Sequence, residues 1–166
     1  MQDNNISYVK QEVTNALFKL IKLHKYSEIT VSQIVLEAEV SRSSFYRNFI
    51  DKDDILRQYL RSVIVALQEE SKKDKEDLFS KLFNYFYENK DLYVMLYDLG
   101  LYYFIHENIK EICVLESEKN NITAYIKAWF IGAMTGLFDE WMSRGMQEPP
   151  EEMLILMATH KKIESV

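Results

Sequence analysis

The segment SRSSFYRNF concentrates the side chains of this chain that are best suited to bind another molecule. Arg42 carries a planar guanidinium that can form two parallel hydrogen bonds to a guanine base. The hydroxyls of Ser43 and Ser44 can approach base edges or phosphates, whereas Tyr46 and Arg47 are better placed for the phosphate backbone. The chemistry that these residue types favour is recognition of double-stranded DNA.

Neighbouring positions add further donors. Lys52 stands at the predicted start of the following helix, where the amide dipoles of a helix N-terminus also attract phosphate. Thr30 and Ser32 lie at the start of the preceding helix and could contribute in the same way. Taken in isolation, such a short helix is about equally well explained as a solvated surface, since short helix pairs are common. The elements around it therefore decide its interpretation.

Two short helices position these side chains. Thr30 caps a helix predicted from Val31 to Ala38, and Ser41 caps the next helix after a turn of three or four residues. The apolar residues that can meet beneath the turn are Ile34, Val35, Ala38, Val40, Phe45 and Phe49. This is the layout of a helix-turn-helix, whose second helix enters the major groove.

Apolar spacings of three and four residues predict the other elements, and we find no strand-like alternation. A first helix is predicted from Ser7 to Leu23, and Asp51 heads a long fourth helix. After the stretch ESKKDKED, five more helices are predicted near residues 76–88, 90–99, 101–112, 119–144 and 150–162. We therefore expect an all-α fold. Residues 1–50 would form a three-helix DNA-binding domain, and residues 51–166 the linking helix with a helical regulatory and dimerisation domain.

Charge is unevenly distributed along the chain. The net charge is −6, yet residues 1–60 carry eight Lys/Arg and eight Asp/Glu, so the remainder holds the whole negative charge. The acidic total argues against broad electrostatic binding of nucleic acid, which requires clustered cations. The local distribution around Arg42 and Arg47 therefore matters more than the total.

The sequence offers little for catalysis, a cofactor or a membrane. His24, His106 and His160 lie far apart, and neither a metal-spaced cluster nor a phosphate-binding glycine loop occurs. The single Cys113 excludes an internal disulfide. No stretch approaches the roughly 18 uninterrupted apolar residues of a spanning helix, and the first residues lack a secretion signal. We expect a cytoplasmic protein that is not an enzyme and needs no cofactor or metal.

Residues 122–141 carry apolar side chains around most of a helix, so this helix must be largely buried. Small residues recur in it every four positions, and each mid-helix glycine costs about 1 kcal/mol that closer packing has to offset. With the final helix it is predicted to form the four-helix bundle of a homodimer, through Tyr125, Ala128, Gly132, Gly136, Leu154 and Met157. The alternative is a core helix of a single chain.

Aromatic residues crowd positions 79–104. Their polar groups could line a cavity for a small-molecule effector, and the candidates are Tyr85, Tyr93, Tyr97, Tyr102, Tyr103 and Trp129. Ordinary core and rim positions are the more frequent role of such residues. Periodicity alone does not show which of the tyrosines face inward.

The stretch ITVSQIVLEAEVSRSSFYRNFIDKDDIL resembles the signature of the TetR family of transcriptional regulators. Shared features are Thr-Val at the start of the second helix, Val-Ser at the turn, Phe-Tyr in the recognition helix and Phe-x-x-Lys before the fourth helix. The resemblance covers about residues 7–60 and implies a DNA-binding head, a linking helix and a variable body for dimerisation and ligand sensing. It also implies DNA contacts by Ser32, Arg42, Ser43, Tyr46, Arg47 and Lys52.

Two positions depart from this pattern. Glu39 occupies the turn, where glycine is usual, and Asn48 stands where an aromatic residue or histidine is common. A positive φ at Glu39 would cost roughly 1 kcal/mol relative to glycine, and its charge repels phosphate. The stretch FIGAMTGLFDEWMSRG more weakly resembles a TetR subset related to dihydroxyacetone kinase regulators.

The sequence therefore predicts a homodimer that binds a palindromic DNA operator, as a repressor, with a small-molecule effector as a further partner. Its two heads would be held about 34–36 Å apart, to match successive major grooves. The alternative is a helical interaction protein that has kept the fold and lost operator binding, which the acidic charge and Glu39 favour.

Overall fold

The structure is a computed structural model that describes residues 2–75, 77–113 and 120–159. Every regular element within these ranges is helical, which confirms the predicted all-α class. The elements are α1 (Gln2–Ile21), a 3₁₀ turn (Tyr26–Glu28), α2 (Val31–Glu37), α3 (Arg42–Asn48), α4 (Lys52–Asp74), α5 (Leu78–Glu88), α6 (Lys90–Asp98), α7 (Tyr102–Cys113), α8 (Asn121–Ser143) and α9 (Pro150–Thr159). In the part of the chain described, no helix is long and apolar enough to cross a membrane.

Helix ends differ from the predicted ones by a few residues. The largest change is at α1, which begins at Gln2 instead of Ser7. Asp77 caps α5, since its carboxylate accepts a hydrogen bond from the Ser80 amide at 3.1 Å. The ends predicted at residues 76, 119 and 162 lie outside the described residues.

The chain divides into two compact units, residues 1–62 and residues 63–166. The first unit contains α1, the 3₁₀ turn, α2, α3 and the start of α4, and the second contains the rest of α4 with α5 to α9. Helix α4 therefore belongs to both units. The domain boundary at residue 50 stays a prediction.

One apolar face of each helix builds the core of the first unit. The side chains without exposed surface are Val13, Leu17, Ile34, Phe45, Ile55 and Leu56. Helix α1 packs against both α2 and α3, and Phe18 meets Tyr59 of α4 edge-on, with ring centroids 5.0 Å apart. The burial of α2 and α3 against α1 fixes which of their faces remain exposed.

Aromatic rings dominate the core of the second unit. Phe83 of α5 stacks on Phe138 of α8, with ring centroids 4.6 Å apart, and Phe86 lies 4.4 Å from Tyr93 of α6. The indole of Trp141 is buried and donates a hydrogen bond to the Glu148 carbonyl at 3.1 Å. Large rings bury much apolar area each, so a few contacts join α5, α6 and α8 into one core.

Candidate nucleic-acid interface

Helix α2 begins at a capping box. The Thr30 hydroxyl accepts a hydrogen bond from the Gln33 amide at 3.3 Å, and the Gln33 side chain accepts one from the Thr30 amide at 2.8 Å. These two bonds satisfy amides that a helix start leaves without partners. The cap predicted at Thr30 is confirmed, and it fixes the first turn of the helix that carries Ser32.

The turn between α2 and α3 places a glutamate in left-handed backbone. Glu39 has φ +52°, and the next amide, Val40, donates back to the Val35 carbonyl at 3.0 Å. A glycine would adopt this conformation without the steric cost that a Cβ brings. The positive φ considered at Glu39 is therefore confirmed, and its side chain is exposed beside the start of α3.

Helix α3 divides into a buried aromatic face and an exposed polar face. Ser41 caps the helix by accepting from the Ser44 amide at 3.0 Å. Phe45 and Phe49 point into the core, with 0% and 3% of their surfaces exposed. The predicted DNA-contacting side chains that are exposed on this helix are Arg42, Ser43, Tyr46 and Arg47, whereas Ser44 is half-buried.

One contact joins two of the predicted site residues across the helix pair. The Arg42 guanidinium donates a hydrogen bond to the Ser32 hydroxyl at 2.5 Å. Both side chains are exposed, so the contact lies on the surface formed by α2 and α3. The structure therefore brings Ser32 and Arg42 together, which their separation in sequence did not predict.

Lys52 has a different setting. Its ammonium donates to the backbone carbonyls of Tyr26 and Ile29, at 2.5 and 3.0 Å, and lies 4.5 Å from the centroid of the Tyr26 ring. The side chain is half-buried. The resemblance implied that Lys52 contacts DNA. That contact stays a prediction, and the Lys52 ammonium already makes these three contacts within its own chain.

Asp51 was predicted to head α4, but sequence reasoning missed Asp54 and Gln58, two residues of α4 that bind the connection from α3. Asp51 caps α4 by accepting from the Asp54 amide at 2.8 Å, and Asp54 in turn accepts from the Ile50 amide at 2.9 Å. Gln58 donates to the Asn48 carbonyl at 2.8 Å. An acidic residue three positions after an acidic cap was the available signal for Asp54. Gln58 had no signal, because its acceptor is a backbone carbonyl in the preceding helix.

Four of the predicted pocket tyrosines form two ring contacts in the second unit. Tyr93 is fully buried and its ring lies 6.3 Å from that of Tyr85, whereas the Tyr97 and Tyr102 rings lie 5.7 Å apart. The Tyr102 hydroxyl donates to the Thr135 carbonyl at 2.5 Å. Burial raises the pKa of Tyr102 well above its ordinary range, and the charges of Asp139 and Tyr97 raise it further.

The other two pocket candidates lie at the surface of the chain. Tyr103 is 43% exposed and Trp129 is 63% exposed, on α7 and α8. Both side chains are therefore more exposed than the four tyrosines, of which Tyr93 is buried and the others are half-buried. The ligand pocket itself stays a prediction.

Helix α8 buries one face and exposes an apolar one. Ile131, Met134 and Phe138 point into the core, whereas Tyr125 on the exposed face is 69% exposed. The three small residues predicted for the dimer face are exposed too: Ala128, Gly132 and Gly136. On α9, Leu154 and Met157 are half-buried. The composition of this helix had suggested that it is largely buried. Within one chain, however, one of its faces remains exposed.

Among the described residues, those considered for catalysis or metal binding do not form a metal site. His24 and His106 are exposed, and among the described residues no group of three His, Cys, Asp or Glu could hold a metal ion. His160 and the side chain of Cys113 lie outside the described part of the chain.

Comparison with known families gives two matches. Residues 13–59 match the family model of bacterial regulatory proteins of the tetR family, and residues 73–159, more than half of the chain, match that of the transcriptional regulator C-terminal region. No curated protein matches the chain. The first match contains the whole helix-turn-helix and the second contains α5 to α9. Neither confirms the subset related to dihydroxyacetone kinase regulators.

Proposed function

Because the chain belongs to the TetR family of bacterial transcriptional regulators, we propose that it is a repressor that binds a palindromic DNA operator as a homodimer. The polar face of α3 carries this proposal. Phe45 and Phe49 fix the orientation of the helix, and Arg42, Tyr46 and Arg47 extend from it into solvent. A short capped helix that presents two guanidiniums and hydroxyls has the form and charge that a major groove accepts.

Within the proposed interface, the residues have different tasks. Arg42 reads a guanine through two hydrogen bonds, and its contact with the Ser32 hydroxyl limits the orientations that the guanidinium adopts before binding. Arg47 and Tyr46 bind phosphate and set the register of the helix in the groove. Thr30, Ser43 and Ser44 add hydroxyls near the backbone, although Thr30 and Ser44 already take part in the helix caps.

The exposed face of α8 supports the homodimer. Tyr125 and Ile126 are 69% and 60% exposed, which is costly for large apolar side chains in water. A Cβ added at Gly132 or Gly136 would meet no atom of this chain within 4 Å, apart from the neighbouring residues and backbone of α8 itself. The packing of one chain therefore gives no reason for these helix-weakening glycines, whereas a second helix at close range does. Leu154 and Met157 would extend this face from α9.

Regulation by a small molecule is the last part of the proposal. The second unit supplies the buried Tyr93 on α6 and the half-buried Tyr85 on α5 and Tyr102 on α7. An effector bound among them would favour a different separation of the two heads. Repression then ends because the heads no longer match grooves about 34–36 Å apart. The protein acts in the cytoplasm, where it meets chromosomal DNA.

Selection of bound sequences from random duplex DNA tests the proposal. We expect the purified protein to enrich a palindrome, with an affinity that falls steeply between two salt concentrations because phosphate contacts release counterions. No enriched motif would instead favour the interaction-protein alternative. The exposed Glu39 beside α3 is the observation that supports that alternative, since an acid there repels phosphate.

A further inference from the structure

We infer that Lys52 is a positioning residue of the DNA reader and does not bind phosphate. The inference rests on the proposed function, because it assigns a task within the DNA-binding unit. The position of Lys52 at the start of α4 had suggested that its ammonium binds phosphate. However, the Lys52 ammonium already contacts groups of its own chain that lie immediately before the helix-turn-helix.

The Lys52 clamp consists of Lys52, Asp53, Tyr26 and Ile29. The Lys52 ammonium donates to the Tyr26 carbonyl at 2.5 Å and to the Ile29 carbonyl at 3.0 Å, which uses two of its three N–H groups. The Tyr26 ring lies beneath it at 4.5 Å, and the Tyr26 hydroxyl donates to the Asp53 carboxylate at 2.7 Å. Hydrogen bonds from a charged donor are stronger than neutral ones, and the half-buried setting strengthens them further.

These contacts hold the entry to the helix-turn-helix. Ile29 directly precedes Thr30, the cap of α2, so the clamp ties the start of α2 to the first turn of α4. The exit is held from the same helix, because Asp54 accepts from the Ile50 amide at 2.9 Å and Gln58 donates to the Asn48 carbonyl at 2.8 Å. The first two turns of α4 thus hold both ends of the segment that carries the reading face.

A phosphate contact by Lys52 would require a different arrangement. The ammonium would have to leave two carbonyls and the Tyr26 ring, and those carbonyls would lose a charged partner. Arg47 is exposed on α3, and Arg42 would exchange one hydrogen bond, to the neutral Ser32 hydroxyl. The positive charges that touch phosphate are therefore expected on α3, and Lys52 acts on binding through the orientation of α2 and α3.

Substitution of Lys52 by methionine tests this assignment, with Arg47→Met as the matched control. Both variants lose one positive charge and retain an apolar side chain. The first readout is hydrogen exchange of the α2 amides in the protein without DNA. The second is the slope of the logarithm of the association constant against the logarithm of the salt concentration, measured on the selected operator. Circular dichroism confirms that each variant is folded.

The expected pattern separates the two residues. Lys52→Met accelerates exchange at the start of α2 by about tenfold, because hydrogen bonds from a charged donor are removed, and it weakens operator binding without changing the salt slope. Arg47→Met leaves the exchange unchanged and makes the slope shallower by about 0.9 for each phosphate that the protein no longer neutralises. Tyr26→Phe, which retains the ring but removes the hydroxyl, accelerates the same amides to a smaller extent.

A shallower salt slope for Lys52→Met, with or without faster exchange, would overturn the inference, because it would show a phosphate contact. Unchanged exchange at α2 would overturn it as well. The exchange measurement needs no DNA, so it judges the Lys52 clamp even if the wild-type protein binds no operator. That last result would contradict the proposed function alone.

Discussion

Helices α3 and α8 each bury one face in their own unit and expose the other, but the exposed faces have opposite chemistry. Helix α3 buries Phe45 and exposes two arginines with hydroxyl groups. Helix α8 buries Phe138 and exposes large apolar side chains beside two glycines. A polar face is well solvated without a partner, whereas exposed large apolar side chains on one helix face mark an interaction surface.

The different chemistry of the two exposed faces indicates that the two helices would bind their partners in different ways. In the proposed function, α3 binds DNA through hydrogen bonds and charge, so single side chains should determine its affinity. Helix α8 would bind the second chain through the fit of many apolar atoms, so the association should respond to added side-chain volume. Substitutions that change charge on one face and volume on the other therefore test the comparison directly.

The largest effect is expected from reversing the charge on α3. The double variant Arg42→Glu/Arg47→Glu should lower operator affinity by more than about 100-fold, because each half-site loses hydrogen bonds worth about 1–3 kcal/mol and gains repulsion. Thermal stability and dimer formation should change little, since both side chains are exposed. Fluorescence anisotropy with labelled operator and sedimentation velocity measure the two properties. Retained affinity would assign the DNA contacts elsewhere.

A volume change on α8 should separate association from folding. Ala128→Leu is expected to weaken dimer association by about 5- to 150-fold, as overpacking costs about 1–3 kcal/mol. Ala66→Leu is the matched control, because Ala66 is also an exposed mid-helix alanine, on α4. Sedimentation at a series of protein concentrations compares them. Equal dimer affinity in both variants would show that the dimer uses another surface.

A smaller effect is expected in the turn before α3. Glu39→Gly should raise the free energy of unfolding by roughly 1 kcal/mol, because glycine adopts the φ of +52° without strain, and should strengthen operator binding by removing an acid. Lys75→Gly is the control, since Lys75 has φ +57° in the α4–α5 connection. Chemical denaturation and anisotropy distinguish the effects. A gain in affinity for both variants would argue against a local charge effect at Glu39.

An effect of similar size, confined to stability, is expected at Tyr102 in the second unit. Tyr102→Phe should lower the free energy of unfolding by about 1 kcal/mol at pH 7, because the hydrogen bond to the Thr135 carbonyl is removed. Burial raises the pKa of Tyr102 in the folded state, so its contribution to stability is present below about pH 10 and decreases as the pH rises further. Urea unfolding at pH 7 and above pH 10 measures both.

The Tyr102→Phe variant should therefore show a weaker loss of stability above pH 10 than the wild type. Tyr8→Phe is the control, since the Tyr8 side chain is 59% exposed. Its pH dependence should equal that of the wild type. The same loss of stability in all three proteins would mean that Tyr102 does not ionise more easily in the unfolded chain.

The helix-turn-helix could be predicted because its determinants are local. The caps at Thr30 and Ser41 and the burial of Phe45 follow from residues a few positions apart, and the structure confirms each. A positive φ at Glu39 was considered on the same basis, and the structure shows it. The internal contacts of Lys52 were not, because its acceptors are carbonyls of Tyr26 and Ile29 and backbone groups leave no pattern in a sequence.

The body shows the opposite case, since its aromatic residues are numerous and their burial depends on tertiary packing. Tyr93 is fully buried whereas Trp129 is 63% exposed, although both were candidates for one pocket. A helix that is apolar all round, such as α8, has no sequence signal for which side faces its own chain. The packing of Phe138 against Phe83 and Phe86 shows which side of α8 faces its own chain.

In the proposed function, the two α3 helices of a homodimer bind two half-sites on one face of the DNA. The most direct test compares the affinity of the wild-type protein for its selected operator and for the same operator with five base pairs inserted between the half-sites. We expect the insertion to weaken binding to that of a single half-site, because it rotates one half-site by about half a helical turn. Equal affinity for both DNAs would contradict the claim.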